Sequence, residues 1–352
     1  MTDRAPKATR RGFIKSGSAG LGLTVLAASN HAHAAPMRSR PRPRKNRLPR
    51  EVWIASISQN ELHAAKYDQM IRQMLARMEE VVCYAPDVIC LPEVFPFVNI
   101  DAGRPPVSKV AEEPIGTISA PFAEFARKHD CYVVCPIYTR QADKCYNSAV
   151  FIDRAGKAIG EYHKMHPTVG EMDAGVAPGT LSPPVFETDF GIVGAQICFD
   201  IEWRDGWEKL QQAGAEIVFW PSAFDGGTMV NTKAWENNYC VVSSTRKGVT
   251  KICDMTGEVV DQTSHWDRWV CAPLNLEKAF LHTWPFVRRF PEIRKKYGRK
   301  VRIHTFAAEE WSVIESRDPD IKVADVLREF ELQTLKQHIG AADVAQRKAR
   351  GM

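Results

Sequence analysis

Phe190-Gly191-Ile192-Val193-Gly194-Ala195-Gln196-Ile197-Cys198-Phe199-Asp200-Ile201-Glu202-Trp203 decides how the chain reads. From Gly191 to Ile197 the run is small and apolar on both faces apart from Gln196, the pattern of a central strand covered on both sides. It ends at Cys198-Phe199-Asp200, so the strand delivers a thiol to a turn. In open α/β sheets, ligands bind in the cleft beyond the carboxyl ends of the strands. Most buried cysteines are only small core hydrophobes. A chemical role for Cys198 therefore depends on what else the chain brings to that edge.

Outward from this stretch, strands and helices alternate. Residues 51–57 read as a strand; after Asn60, a good N-cap, Tyr67, Met70, Ile71, Met74, Leu75, Met78, Val81 and Val82 share one helical face, and Pro86-Asp87 stops the helix. Residues 88–91 form a short buried strand, with Glu93 just past its end. A helix over 120–129, with Pro121 in its first turn, feeds a strand over 132–138. Strands over 148–152 and 158–163 are joined by the turn Asp153-Arg154-Ala155-Gly156, and Lys164 closes the second. A loop rich in Gly and Pro over 168–184 precedes the cysteine strand. Beyond it come a helix over 203–213 closed by Gly214, a strand over 216–220, a helix over 232–239, a strand over 241–245 and a hairpin over 251–260. Such alternation predicts an α/β sandwich with helices outside. No internal repeat of fixed period is present. After Leu276 the pattern breaks: aromatic and basic residues mix over 280–300, and one amphipathic helix is expected over 323–339. A tail with no sheet of its own is expected to pack across the core or a partner subunit.

The 352 residues divide into four expected parts: a twin-arginine signal peptide over 1–34, a basic linker over 35–50, the catalytic α/β domain over 51–275 and a C-terminal extension over 276–352. The signal reading rests on Arg10-Arg11 followed by Gly12-Phe13-Ile14-Lys15, a short apolar run from Gly17 to Ala28 and the cleavage pattern Ala32-His33-Ala34. That run is too short for a membrane span, which needs ~20 apolar residues. The expectation is a soluble exported protein carried by the twin-arginine machinery to the periplasm or beyond. The signal carries five Lys or Arg and one Asp, so its removal takes the net charge from +5 to +1, and nucleic acid is not implied. The cluster from Arg38 to Arg50 alternates Arg with Pro and reads as a solvated, extended lead-in. Nine cysteines are present, but no Cys-x-x-Cys or His-x-x-x-His pair, so zinc is not expected. Cys131 and Cys135 stand four apart on one strand, about 13 Å at ~3.3 Å per residue, beyond disulfide reach. Most of the thiols read as core filler.

Three polar groups stand at or just beyond strand ends: Glu93, Lys164 and Cys198. An ammonium near a thiol lowers its pKa, and the thiolate is the nucleophile. A desolvated glutamate, its own pKa raised toward neutrality, can take the thiol proton and return it to a leaving group. The ammonium, with a backbone N–H near Phe199, can stabilise an oxyanion. His163 and His166 flank the lysine and offer a cysteine–histidine alternative, but neither has a strand-end motif of its own.

These motifs also resemble those of the nitrilase superfamily of carbon-nitrogen hydrolases, in the family's order. Cys90-Leu91-Pro92-Glu93 resembles its glutamate motif, Tyr162-His163-Lys164-Met165-His166-Pro167-Thr168-Val169-Gly170-Glu171 its lysine motif, and Gln196-Ile197-Cys198-Phe199-Asp200-Ile201-Glu202-Trp203 its cysteine motif. Trp220-Pro221-Ser222-Ala223 resembles the strand and pocket segment that follows, and Lys233-Ala234-Trp235-Glu236-Asn237 the later helix motif. The resemblance implies a four-layer αββα sandwich that forms homodimers or larger homo-oligomers through helices, with no metal and no cofactor. It implies that Cys198 attacks a carbonyl carbon, Glu93 serves as base and then acid, Lys164 holds the oxyanion and Glu171 positions Lys164 or the substrate. Phe199-Asp200 after the cysteine looks more like the amidase and N-carbamoyl amino acid amidohydrolase branches than the Trp-Glu of nitrile-cleaving members, although Arg204 departs from the Pro that often follows Trp in the carbamoyl branch. The implied substrate is a small non-peptide amide or carbamoyl compound, with Trp203, Arg204 and Phe224 as expected pocket wall. A nitrilase proper and a non-catalytic exported binding protein are the alternatives. The exported chain is expected to begin at Ala35, and N-terminal sequencing that returned Met1 from it would contradict the export reading.

Overall fold

The computed structural model describes Leu48 and residues 50–351. The expected signal, residues 1–34, and nearly all of the linker lie outside the described residues. In chain order the elements are β1 (Glu51–Ile57), α1 (Tyr67–Val81), β2 (Val88–Cys90), α2 (Val107–Val110), α3 (Ala120–His129), β3 (Tyr132–Gln141), β4 (Lys144–Ile152), β5 (Ala158–His163), α4 (Val169–Asp173), β6 (Phe186–Glu187) and β7 (Ile192–Ala195). There follow α5 (Asp205–Gln212), β8 (Ile217–Ser222), α6 (Thr228–Asn237), β9 (Cys240–Thr245), β10 (Lys251–Cys253), β11 (Val259–Gln262), β12 (Trp269–Asn275) and β13 (Lys278–His282). The chain closes with α7 (Phe290–Tyr297), β14 (Val301–Phe306), β15 (Trp311–Ser316), α8 (Val323–Glu329) and α9 (Leu335–Ala349).

Two six-stranded sheets, ordered β12-β1-β2-β3-β4-β5 and β11-β10-β9-β8-β7-β6, pack face to face. Side-chain alternation sorts the strands into layers. Val52, Ile54 and Val134 join Val193, Phe219 and Val242 between the sheets. Their neighbours Ala55, Ile57, Val133 and Cys135 face outward onto α1 and α3. On the far side Val218, Trp220 and Val241 face Trp207 and Leu210 of α5 and Ala234 of α6. This is the four-layer αββα sandwich. Both faces of the central strands are covered, which is why the cysteine strand carries no polar face. Polar groups also tie the sheets: Ser56 Oγ donates to Ser243 O at 2.5 Å, and Ser244 Oγ to Ile57 O at 2.7 Å.

Each sheet has a parallel core, β1-β2-β3 in one and β7-β8-β9 in the other, followed by antiparallel strands. The halves thus repeat in topology with no sequence repeat of fixed period. Several boundaries differ from the expected ones. The first helix is capped at Lys66 rather than near Asn60, and the expected helix over 203–213 begins only at Asp205, as α5, behind a separate 3₁₀ turn over Cys198–Glu202. Eight of the nine cysteines are buried and Cys83 is exposed.

The tail corrects the expectation most. It has a sheet of its own, antiparallel β13-β15-β14, and its own core of Leu281, Phe290, Ile293, Ile314, Val326 and Phe330. The expected helix over 323–339 breaks at residues 330–334 into α8 and α9. The tail is fastened to the sandwich by an aromatic clasp, with Trp235 of α6 stacked on Trp311 at 4.5 Å and met edge-on by Phe280 and Phe306 at 5.8 and 5.6 Å. A half-buried pair, Lys278 Nζ to Asp254 Oδ2 at 2.8 Å, adds a second tie. Trp235→Ala is expected to cost about 3 kcal/mol and to open the tail to limited proteolysis while the sandwich persists; a tail as protected as in the parent protein would contradict the clasp.

Candidate active site

The sandwich brings the ends of β2, β5, β7, β8 and β9 to one edge, where Glu93, Lys164, Cys198, Ser222 and Arg246 stand. Two of these groups sit at strained corners. Cys198 has φ +46°, and Val94, directly after Glu93, has φ +38°. A non-glycine residue held in that region costs about 1–3 kcal/mol and persists only where the surroundings over-determine it. Around Cys198 they do so, because Trp220 Nε1 donates to its carbonyl at 3.0 Å and Ile197 N–H, directly before it, donates to Asp200 Oδ2 at 2.8 Å.

Lys164 is the centre. Its ammonium is 1% exposed and reaches Glu93 Oε1 at 2.8 Å and Glu171 Oε1 and Oε2 at 3.0 and 2.8 Å. Asn147, from β4, donates its amide to Glu93 Oε1 at 2.9 Å and to Glu171 Oε1 at 2.8 Å, so one side chain fixes both carboxylates. Arg246 Nη2 reaches the other oxygen of Glu93, Oε2, at 3.2 Å. Glu171 is itself held by a capping box: its Oε2 accepts from Thr168 N at 2.8 Å, and its N–H donates to Thr168 Oγ1 at 3.2 Å. The loop expected over 168–184 thus begins with the short helix α4.

Asp200 couples the lysine segment to the cysteine segment. Fully buried, it accepts from Tyr162 Oη at 2.7 Å, His166 N at 2.8 Å and Ile197 N at 2.8 Å, and it lies 3.0 Å from His166 Nδ1. Trp203 stacks flat on His166 at 4.1 Å. His163 stacks on Tyr146 at 3.9 Å, with its Nε2 3.1 Å from Glu161 Oε1. His166 thus ties the lysine loop to Asp200 and Trp203, whereas His163, at the end of β5, packs against β4.

The electrostatics correct the expected protonation states. Burial alone would raise Glu93, but the Lys164 and Arg246 charges with the hydrogen bonds of Lys164 and Asn147 outweigh it and hold the carboxyl below its ordinary range. Burial works against the Lys164 ammonium too, yet Glu93, Cys198 and Glu171 raise it overall. Cys198 is pushed up to about 12, by burial first and by Glu93 second, against the lowering effect of Lys164. The resting site is thus a thiol beside an ionised carboxylate and an ammonium. The lysine does not by itself make a thiolate here.

Among the expected pocket residues, Phe224 packs against Trp220 at 5.4 Å, next to Ala223, whose N–H faces the thiol together with the Ser222 hydroxyl. Phe199 opens the 3₁₀ turn just after Cys198, where N–H groups lack helical partners. Arg204 does not belong to this edge. It pairs with Glu236 at 3.2 Å and lines a separate groove with Trp207 and Trp311. The sequence reading missed Asn147 and Arg246. Arg246 follows its strand as Glu93 follows β2, so the same strand-end rule would have found it. No group of His, Cys, Asp and Glu among the described residues is arranged to hold a metal.

Comparison with known proteins places this architecture. The profile of the carbon-nitrogen hydrolase family matches residues 54–279. Deaminated glutathione amidase of Mus musculus is 33% identical over 162 residues, 42% of this chain and 48% of that protein. Beta-ureidopropionase of Arabidopsis thaliana is 37% identical over 121 residues, 32% of this chain and 30% of that protein. The chain thus spans half or less of the length of these curated relatives. An amidase from Nesterenkonia sp. superposes with a TM-score of 0.56 at 17% identity, over 63% of this chain and 90% of that one. Nit3 of Saccharomyces cerevisiae, a member of the nitrilase superfamily, does so with 0.57 at 19% identity, over 71% and 96%.

The depressed Glu93 carboxyl carries a stability signature. Its contribution is complete above the ordinary glutamate pKa of about 4.3 and is lost as the pH falls through the lower folded value. Glu93→Gln, which breaks a buried pair, is expected to lower stability by about 3–5 kcal/mol at neutral pH, with the gap to the parent narrowing below about pH 4. Denaturant titrations across that range that showed a pH-independent gap would contradict the ionised state.

Proposed function

The chain belongs to the carbon-nitrogen hydrolase family, and on that premise we propose that it hydrolyses a non-peptide amide or carbamoyl carbon–nitrogen bond of a small molecule through a thioester on Cys198. The observation that carries the reading is the placement of an ionised carboxylate, Glu93, and a buried ammonium, Lys164, against one strained thiol. As Cys198 sulfur attacks the carbonyl carbon, its proton passes to Glu93. The oxygen gains the negative charge and is held by the Lys164 ammonium and the Phe199 N–H. Collapse breaks the C–N bond while Glu93 returns the proton to nitrogen, so ammonia or an amine leaves. Water then attacks the thioester, Glu93 takes its proton, and the acid product departs as Cys198 regains its thiol.

Each resting-state feature supports these roles. A thiol pushed up to about 12 needs a base in contact with the reaction, and an ionised Glu93 is ready to be that base. Glu171 fixes the lysine and Asn147 fixes Glu171, which is a positioning residue because it acts through Lys164. The Nesterenkonia amidase, in a variant form, takes covalent addition of the acetamide moiety of fluoroacetamide at its active-site cysteine, and the names of the matched relatives are those of an amidase and a ureidopropionase. The motif at Arg10-Arg11 supports export of this enzyme through the twin-arginine route.

The protein from Ala35 onward is expected to release ammonia from amides or N-carbamoyl compounds, faster than from nitriles. Cys198→Ala should abolish release, and Glu93→Gln should lower kcat about 10²- to 10⁴-fold with the acyl-enzyme slow to form. Turnover that survived Cys198→Ala, or that was confined to nitriles, would overturn the reading.

A further inference from the structure

Beside Cys198 lies a hollow of about 430 Å³ whose lining includes Phe97, Ile100, Ala223 and three cations, Arg104, Arg246 and Lys247, and no carboxylate. It opens on the reacting groups, since the Ala223 N–H faces the thiol and Arg246 touches Glu93 at 3.2 Å. Charge at the centre is balanced, with Lys164 and Arg246 set against Glu93 and Glu171. Arg104 and Lys247 are additional. Both are exposed at the rim, and neither forms an ion pair among the described residues. Asp225 does not line the hollow, but it is half-buried against Gly248, next to Lys247, and offsets at most one of them.

We infer that the substrate carries a carboxylate at the end remote from the scissile bond, held by Arg104 and Lys247, with a short aliphatic spacer against Phe97 and Ile100. The inference deepens the amide-hydrolase reading and rests on it for the choice of Cys198 as the reacting atom. A cleft lined by one sign of charge focuses its field and raises the local concentration of the opposite sign. With Asp225 counted, the rim excess is a single charge, which a monoanionic carboxylate matches and a dianionic phosphate overshoots. A ureido or amido acid has this layout, with a neutral reactive end, methylenes and a carboxylate. A simple neutral amide forgoes the rim.

The test needs no turnover. N-iodoacetyl-β-alanine and N-propyl iodoacetamide share one reactive group and differ in distal charge. Their rates at Cys198 are measured by peptide mass spectrometry in Cys83→Ser protein, which removes the exposed thiol, and are divided by their rates with N-acetylcysteinamide in solution. The anionic reagent is expected to be favoured about fivefold to tenfold at low salt, the scale of two exposed ion pairs. The preference should vanish at about 1 M salt, where the screening length is ~3 Å, and in Arg104→Gln/Lys247→Gln. Brisk labelling with no preference, or a preference that survives the double variant, overturns this inference alone. No labelling at Cys198 by either reagent removes the proposed nucleophile, and the inference with it.

Discussion

Everything at this edge depends on a buried ammonium that cannot stand alone. Lys164 is 1% exposed, and a desolvated charge of this kind costs several kcal/mol unless it is paired and fully hydrogen-bonded. Two carboxylates provide the pairing, and each must in turn be held. Glu93 is fixed by Asn147 and Arg246, Glu171 by Asn147 and the Thr168 cap. The requirement therefore reaches into β2, β4, β5, α4 and β9, from both sheets. Removing any one member leaves a buried charge short of a partner, which explains why so much of the sandwich converges on one corner.

The same balance sets the chemistry. Cations on both oxygens of Glu93 keep it ionised despite burial, and burial, with the Glu93 charge second, holds the neighbouring thiol protonated. The site stores neither a thiolate nor a protonated acid. It stores a base poised next to an acid, with an ammonium placed where negative charge develops, and the proton moves only when a carbonyl carbon is present to receive the sulfur. Asp200 keeps the two halves of this arrangement in register, because it binds the backbone of the lysine loop and of the cysteine turn at once.

Much of this was legible in the chain. The succession of strands and helices and the three strand-end groups could be read because the buried strands are short apolar runs broken by a single polar residue. The covered sheet faces make those runs unambiguous. Asn147 was not legible, because an amide in the middle of an antiparallel strand, between Tyr146 and Ser148, shows its purpose only when β5 and β2 bring Lys164 and Glu93 alongside. The tail sheet was hidden for a different reason. β13 is separated from the β14–β15 hairpin by a long excursion, and the alternation of Val301, Ile303 and Thr305 with Arg302, His304 and Phe306 is masked by the basic residues around it. The sign of the Glu93 shift was also out of reach, since burial is opposed first by Lys164 and then by Arg246 and Asn147, two partners that only the fold brings to it.

The resting protonation state is the most direct test of this account. Infrared difference spectra of the parent protein minus Cys198→Ala, recorded at neutral pH, report the S–H stretch of that one thiol, and isotope-labelled glutamate reports the Glu93 carboxyl. The account predicts an S–H band together with an ionised carboxylate. An absent S–H band with a protonated Glu93 carbonyl would contradict it, because the site would then rest as a thiolate and an acid.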